Sequence, residues 1–489
     1  KIPVQRMART APGTAITSMQ LDRAFQEDIL IPWRKGEPER FKTAWDLLVA
    51  DKGGIVFQPK LGIFEDVAEI DFASMYPTMM AIHNISPETV LCGCCQNHSV
   101  PEVGYTICEK REGIVPKTLR PILTRRAWLK RMAKEAEGSR QKAVGKEDCE
   151  LRIADCGINR ESTKDCEEEM RNKEKRREIY NRKQTALKWM LVTCFGYLGY
   201  RNARFGRIEA HEAVTAFGRE SLLQAKEICE AEGFELLHAI TDSLWIRKKG
   251  FREEEVLELC QKISEATGIT MSLEGIYRWI AFLPSKGNPE SPVANRYFGL
   301  FQNGKIKARG LAFRRGDTPP LIQEAQLRML EVLAEAKDMD DYRVKVPKIL
   351  DLLLEYSLML KDGQAKNEDL AIGKRISQEP SAYKVDSLTA LAAQELEDVG
   401  IPIHPGEKVR YVIKDAESKD KAERVRPFPL VGPDDTCDVK KYMEMLVKAT
   451  EEILIHVGYD AKRLYPLLSL SPEWERGKVR GTRRIQQKR

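Results

Sequence analysis

The chain has 489 residues, too many for one ordinary hydrophobic core, so its length predicts about two to four domains or subdomains. Its composition is globular, 42% hydrophobic and 31% charged, and a net charge of +6 is only mildly basic, so contact with a polyanion would need local clusters of cations. No segment has the roughly 18 uncharged apolar residues of a membrane span, and no apolar signal core follows the N-terminus, which excludes membrane and secreted classes and predicts a soluble cytoplasmic protein. The eleven cysteines do not form the dense disulfide framework of a small secreted protein, so they are compatible with a reducing compartment.

The first predicted strand leads into a polar turn. After a mixed segment over 1–66, "VAEIDF" alternates, so that Glu69 and Asp71 share one face of a strand over 67–72. Pro77 is predicted to end this strand register and to open a helix.

A cysteine-rich segment over 92–108 follows, "CGCCQNHSVPEVGYTIC". A C-x₂-C pair with a nearby histidine and a more distant cysteine is a spacing that zinc sites use. The candidate structural Zn²⁺ ligands are Cys92, Cys95, His98 and Cys108, with Cys94 beside them. A disulfide or free thiols are the alternatives.

Residues 117–192 are predicted to form two helices around a very polar spacer, which holds Cys149, Cys156 and Cys166. That spacer is either a solvent-exposed insertion or a second metal site. A helix over 208–230, a hairpin over 234–248 with Asp242 at its tip, and further strands come next. From about 319 the pattern is mainly helical, with an interruption near 401–413.

Asp71 and Asp242 are isolated acids at the ends of apolar strands, where a carboxylate is costly to bury unless a cation or metal pairs with it. Brought together, they would make an oxygen-ligand site for Mg²⁺; separately, each would cap a turn or face solvent. Arg126 and Lys130 lie four residues apart on one helical face, and Lys188 stands in an apolar run. Such cations could hold a triphosphate.

Several segments in series resemble the motifs of B-family DNA polymerases, especially the archaeal ones. "DFASMYPTMM" is similar to the first palm motif, "LKWMLVTCFGYLGY" to the fingers motif and "ITDS" to the second palm motif. "NRYFGL" and "KARGLAFRRGD" resemble the segments that follow, and "LAIGKRISQEPSAYKV" resembles the thumb.

The resemblance implies an α+β fold, a right-hand polymerase with palm, fingers and thumb subdomains. The implied boundaries are an N-terminal segment over 1–66, a first palm part over 67–116, fingers over 117–195, a second palm part over 196–318, a thumb over 319–475 and a basic tail over 476–489. The tail carries seven basic residues and no acid, so it is either a solvated tail or a contact for nucleic-acid phosphates.

The resemblance also implies a role for each matching residue. Asp71 and Asp242 would ligate two Mg²⁺ ions, for which Mn²⁺ can substitute, with the carbonyl of Phe72 as a further ligand. Tyr76 would be a steric gate against a ribose 2′-hydroxyl. The other nucleotide-binding residues would be Ser74, Met75, Arg126, Lys130, Lys188 and Phe195. The residues that meet the primer–template duplex or form the active-site floor would be Thr241, Arg296, Tyr297, Arg309, Arg314, Arg315, Lys374 and Arg375.

Four positions depart from the family motifs. Ile240 replaces the first acid of the second palm motif, Val192 replaces an asparagine and Phe195 a tyrosine in the fingers motif, and Asn295 replaces a lysine. These changes resemble the divergent second group of archaeal paralogues. We therefore expect an active but weakened polymerase with relaxed selectivity, acting in replication, repair or translesion synthesis. The alternative is a polymerase-like DNA-binding or regulatory subunit.

Family members carry an N-terminal domain and an exonuclease before the palm, whereas 70 residues precede Asp71 here. Proofreading is therefore predicted absent from this chain, and a separate exonuclease subunit and a trimmed chain both remain open. The predicted partners are primer–template DNA, deoxynucleoside triphosphates and a sliding clamp, with no membrane. The predicted location is the nucleoid of a prokaryotic cell.

Overall fold

A computed structural model of the chain describes residues 10–31, 40–50, 52–141, 160–432 and 435–470, with backbone alone for 137–141, 160–170 and 469–470. Within these residues, no helix is long and apolar enough to cross a membrane. The predicted basic tail and residues 142–159 of the polar spacer lie outside the described residues.

Thirteen α-helices lie in the described part of the chain. They are α1 (Pro12–Gln26), α2 (Ala44–Ala50), α3 (Met75–Ile82), α4 (Ile114–Gln141), α5 (Arg160–Leu198), α6 (Ile208–Ala231), α7 (Glu253–Thr267), α8 (Pro320–Ala334), α9 (Met339–Lys361), α10 (Asn367–Leu370), α11 (Leu388–Asp398), α12 (Val439–Leu454) and α13 (Ala461–Leu470). The predicted pair of helices around the spacer corresponds to α4 and α5.

The strands form two sheets. They are β1 (Val56–Phe57), β2 (Gly62–Phe64), β3 (Val67–Phe72), β4 (Glu235–Ile240), β5 (Ser243–Arg247), β6 (Met271–Pro284), β7 (Pro292–Phe301), β8 (Ile306–Arg309), β9 (Ile372–Arg375), β10 (Lys408–Ile413) and β11 (Val425–Pro427). The larger sheet has the order β1-β4-β5-β3-β6-β7-β8, with β2 paired to β6, and the smaller has the order β11-β10-β9. Helices and sheets together confirm the predicted α+β class.

The helix after β3 starts earlier than the sequence predicts. It begins at Met75 rather than Pro77, because Ser74 takes a left-handed conformation (φ 54°, ψ 47°) that turns the chain directly out of the strand. Pro77 then sits in the first helical turn, where a missing N–H breaks no helical hydrogen bond.

The chain divides into two compact units. The first comprises Lys1–Val56, Ile70–Leu244 and Arg252–Glu274. In it α4 and α5 pack against each other and α1 packs against both. Helix α6 also contributes to the core of this unit, since its small residues Ala210, Ala213 and Ala216 are inaccessible to solvent.

The second unit comprises Phe57–Glu69, Trp245–Phe251 and Gly275–Arg489. Its core includes Tyr442, Leu446, Ala449 and Ile453, which recur every three or four residues along α12 and so form one apolar face. The antiparallel β7–β8 hairpin turns at Asn303-Gly304, where Gly304 has a φ of +82°.

Buried charges in the second unit are paired. The Glu69 carboxylate accepts hydrogen bonds from the Tyr277 hydroxyl and the Lys307 ammonium, both at 2.6 Å. Glu452 accepts from the backbone N–H of Ala312 at 2.9 Å and pairs with Arg296 at 3.0 Å. Each carboxylate therefore offsets its own desolvation through cations and donors. The two units do not follow the predicted palm, fingers and thumb boundaries, which remain predictions.

Candidate active site

Asp71 and Asp242 lie side by side in the first unit. Asp71 is near the end of β3, Asp242 is in the turn between β4 and β5, and the backbone N–H of Phe72 donates to the carbonyl of Asp242 at 2.9 Å. The Ser243 hydroxyl lies 2.6 Å from Asp71 Oδ1 and donates to it. The structure thus brings together two acids that are 171 positions apart in the sequence and orients the first of them.

The backbone is strained beside each acid. Ser74 and Thr241 have positive φ angles of 54° and 56° without being glycine. Such conformations cost roughly 1 kcal/mol or more each and cluster at functional sites in proteins.

The two acids interact unfavourably in the protein alone. The pKa of Asp242 is raised to about 6, mainly by burial and then by the neighbouring Asp71 carboxylate, while a backbone hydrogen bond and Lys188 oppose the shift. A bound cation would offset both the cost of burying the charged carboxylate and the repulsion between the two acids. The arrangement is therefore electrostatically suited to a metal ion.

Three cations line the same pocket. Arg126 and Lys130 reach it from α4, and Lys188 reaches it from α5. The half-buried Arg126 donates to the Ser74 hydroxyl, and burial lowers the pKa of its guanidinium while Asp71 opposes that shift. The residues that line the pocket are Asp71, Phe72, Ala73, Ser74, Met75, Tyr76, Pro77, Arg126, Lys130, Lys188, Leu191, Val192, Phe195, Thr241 and Asp242. All residues predicted to bind metal or nucleotide at this site are among them.

An aromatic stack forms one side of the site. The rings of Tyr76 and Phe195 have centroids 4.3 Å apart at an interplanar angle of 31°, and His211 stacks on Phe195 at 4.3 Å and 21°. Burial raises the pKa of the Tyr76 phenol, so its hydroxyl is protonated. Sequence reasoning missed His211, which carries no motif signal of its own.

Two glycines give room to the Tyr76 ring. A Cβ at Gly54 would lie 3.0 Å from both the Tyr76 hydroxyl and Thr241 Oγ1, and a Cβ at Gly218 would lie 2.9 Å from the ring. Sequence reasoning missed both positions. Their approach to Tyr76 depends on tertiary packing, which no local sequence pattern reveals.

The predicted DNA-binding residues of the second unit fall into two groups. Arg296 is largely buried against Glu452, and Tyr297 is 4% exposed with its ring 5.2 Å from that of Trp245. Both side chains therefore lie largely in the interior of the second unit, and their predicted roles remain predictions. The exposed cations are Arg309, Arg314, Arg315, Lys374 and Arg375. Of these, Arg315 pairs with Asp317 at 3.1 Å.

The cysteine-rich segment forms a cluster whose membership differs from the predicted zinc set. The Sγ atoms of Cys92, Cys94, Cys95 and Cys108 all lie within 4.8 Å of one another. Burial raises the pKa of the Cys92 thiol, but hydrogen bonds from Cys94 and Cys95 outweigh it and lower that pKa to about 7. Cys94 thus takes the place predicted for His98.

The ring of His98 is directed elsewhere. Its Nδ1 lies 2.9 Å from the carbonyl of Gly104, and the residue has a positive φ of 43°. Of the three spacer cysteines, Cys149 and Cys156 lie outside the described residues, and for Cys166 only the backbone is described.

Comparison with known proteins identifies the family. The family model for DNA polymerase family B matches residues 2–148 and 159–457. A DNA polymerase of Archaeoglobus fulgidus is 28% identical over 432 residues, which cover 88% of this chain and 47% of that protein. DNA polymerase 2 of Saccharolobus solfataricus is 30% identical over 362 residues, covering 74% of this chain and 48% of the relative.

The structure is similar to that of the family B DNA polymerase from Pyrobaculum calidifontis, with a TM-score of 0.60 and 28% identity over 94% of this chain and 53% of that one. This similarity confirms the predicted right-hand polymerase fold, and the archaeal relatives confirm the predicted archaeal type. The chain spans about half the length of the curated relatives it matches. By its sequence and its fold, the chain belongs to DNA polymerase family B.

Proposed function

We propose that this chain is a template-directed DNA polymerase that adds deoxynucleotides to a primer 3′ end. The observation that carries the proposal is the pocket in which Asp71 and Asp242 face Arg126, Lys130 and Lys188. Paired carboxylates suit metal ions, and several cations on two helices suit a triphosphate.

The donor set fits Mg²⁺. Asp71 and Asp242 with the Phe72 carbonyl would hold it, since this ion prefers oxygen ligands, and the raised pKa of Asp242 is what a bound cation would offset. When bound, Mg²⁺ lowers the pKa of the primer 3′-hydroxyl and neutralises charge that develops on the phosphates. The Ser243 hydroxyl fixes the orientation of the Asp71 carboxylate for this task.

The remaining residues act on the nucleotide. Arg126, Lys130 and Lys188 would bind the triphosphate and stabilise the departing pyrophosphate. The Tyr76 ring would exclude the ribose 2′-hydroxyl by its bulk, because Gly54, Gly218 and Phe195 hold it in place. Thr241 and the exposed cations of the second unit would contact the primer–template duplex, largely through its phosphates.

We infer reduced selectivity from the fingers helix. Val192 is 48% exposed at the pocket and cannot donate the hydrogen bonds of an asparagine, and Phe195 lacks the hydroxyl of a tyrosine. Low fidelity and lesion bypass are therefore part of the proposal. A sliding clamp and a separate exonuclease subunit remain predicted partners.

Primer extension by this chain with Mg²⁺ and four deoxynucleoside triphosphates tests the proposal. We expect template-dependent extension that Asp242→Asn reduces more than about 100-fold, since even indirect metal partners are worth 10–100-fold. Asp340→Asn is the matched control, because that acid is 93% exposed and pairs with Arg343 on its own helix.

The alternative function is a polymerase-like DNA-binding or regulatory subunit, and the observation in its favour is Ile240 at the position of an acid. Binding of primer–template DNA by the wild-type chain without any extension, on intact or damaged template, would establish that alternative. Extension past a damaged base would support lesion bypass.

A further inference from the structure

The loop between α3 and α4 holds four thiols in mutual contact. Cys94 Sγ lies 3.3 Å from Cys92 Sγ, 3.8 Å from Cys95 Sγ and 3.7 Å from Cys108 Sγ. Among the residues that the structure describes, this is the one group of three or more cysteine, histidine or acidic side chains whose ligand atoms converge in this way.

These separations fit one tetrahedral ion. With zinc–sulfur bonds of about 2.3 Å, a tetrahedral site has sulfur–sulfur edges of about 3.8 Å. The observed separations, from 3.3 Å up to the 4.8 Å limit that encloses all four atoms, bracket this edge. An iron–sulfur cluster attaches its thiolates to different iron atoms and so needs sulfurs that stand further apart.

Hydrogen bonds hold the loop that carries the thiols without the help of an ion. The Asn97 side chain bridges the loop to Ile107. Its oxygen accepts from the Ile107 N–H at 3.0 Å, and its amide donates to the Ile107 carbonyl at 2.7 Å. The N–H of Cys108 donates to the Thr89 carbonyl at 2.9 Å, and the N–H of Glu109 lies 3.5 Å from Cys95 Sγ. The two ends of the loop are therefore joined independently of any ion.

We propose that Cys92, Cys94, Cys95 and Cys108 form a structural Zn²⁺ site. Four protein thiolates complete the tetrahedron and leave no open position for a substrate, which is the arrangement of structural rather than catalytic zinc. Soft sulfur ligands also separate this site chemically from the oxygen ligands at Asp71 and Asp242, so the two sites select different metals.

The site reinforces a loop that reaches the steric gate. Glu102, within the loop, accepts from the Arg219 guanidinium at 2.8 Å, and Arg219 donates to the Gly53 carbonyl at 2.7 Å. Gly53 precedes Gly54, where an added Cβ would lie 3.0 Å from the Tyr76 hydroxyl. Zinc would thus stabilise the turn that packs on Tyr76 through a chain of three residues.

Metal analysis of the intact chain, purified under reducing conditions with zinc in the growth medium, tests this proposal by a readout independent of polymerase activity. We expect one Zn²⁺ per chain in the wild type, in His98→Ala and in the control Cys437→Ser. In Cys94→Ser we expect the zinc content to fall at least about tenfold. Comparison of His98→Ala with Cys94→Ser separates the four-cysteine set from one that includes histidine.

Cobalt substitution of the wild-type chain keeps the proposal testable if Cys94→Ser does not fold. Co²⁺ in a four-thiolate tetrahedron gives intense sulfur-to-metal charge-transfer and d–d absorption, and added Zn²⁺ should bleach both. A wild-type chain that binds neither ion would overturn the proposal. So would zinc lost from His98→Ala but kept in Cys94→Ser, iron with acid-labile sulfide in place of zinc, or a disulfide within the cluster.

Discussion

Asp242 is expected to destabilise the metal-free protein, and its removal should therefore stabilise the fold while it abolishes activity. The pKa of its carboxyl is raised from 3.8 to about 6, mainly by burial and then by Asp71. At 1.36 kcal/mol per pKa unit, this shift corresponds to at most about 3 kcal/mol.

The sign follows from proton linkage. A carboxyl whose pKa is raised on folding binds its proton more tightly in the folded state, so the folded protein loses stability as the pH rises from 3.8 through about 6. Above this pH window the folded protein bears the full destabilisation from the ionised Asp242, and below the window this destabilisation is absent. Asp242→Asn removes the titrating group and with it the cost.

Denaturant unfolding of the wild type and Asp242→Asn, in a chelator and at pH values from 4 to 8, measures this difference. At pH 8 we expect the variant to unfold at a higher denaturant concentration, with a free energy of unfolding larger by up to about 3 kcal/mol. This difference in free energy should close toward pH 4. Mg²⁺ should raise the wild-type midpoint and leave that of the variant nearly unchanged. A variant that is less stable than the wild type, or a gap that does not depend on pH, would refute this reasoning.

Three further predictions concern the gate and the duplex contacts. Tyr76→Ala should increase the kcat/KM for ribonucleotides relative to deoxynucleotides by about 10- to 200-fold, the range of steric discrimination. Single-nucleotide incorporation measures this ratio, and an unchanged ratio would exclude a gating role. Gly54→Ala should place a Cβ 3.0 Å from the Tyr76 hydroxyl and Thr241 Oγ1 and so displace the Tyr76 ring. The substitution should lower the free energy of unfolding by about 1–3 kcal/mol, measured by urea denaturation together with single-nucleotide kinetics. Lys374→Ala and Arg375→Ala should each reduce the slope of log K for duplex binding against log salt by about 1, and an unaltered slope would remove that residue from the DNA interface.

The sequence predicted the elements of the site better than its geometry. Strand alternation placed Asp71 late on β3, and the hairpin pattern placed Asp242 at a turn, as the structure has them. Their pairing came from family resemblance alone, because no local pattern encodes contact between residues so far apart in the chain. The aromatic contact of Phe195 with His211 is equally a product of tertiary packing.

Local backbone conformation explains two differences between prediction and structure. Ser74 takes a left-handed conformation and starts α3 ahead of Pro77, and His98, at a positive φ, contacts the carbonyl of Gly104 instead of joining the thiols. The C-x₂-C spacing could not reveal that adjacent Cys94 and Cys95 both join the cluster, since neighbouring side chains converge only in a tight turn. The ion pair of Arg296 with Glu452 is likewise a tertiary contact that the sequence could not reveal.

The most direct test of the central claim is a single-turnover comparison of the wild type with Asp71→Asn, at saturating primer–template DNA and Mg²⁺. We expect the rate of incorporation of the first templated nucleotide to fall more than about 100-fold, while the Kd for duplex DNA stays unchanged, because the role proposed for Asp71 is in the chemistry and not in duplex binding. An Asp71→Asn chain that incorporates the nucleotide at the wild-type rate would contradict the assignment of this pocket as the polymerase active site.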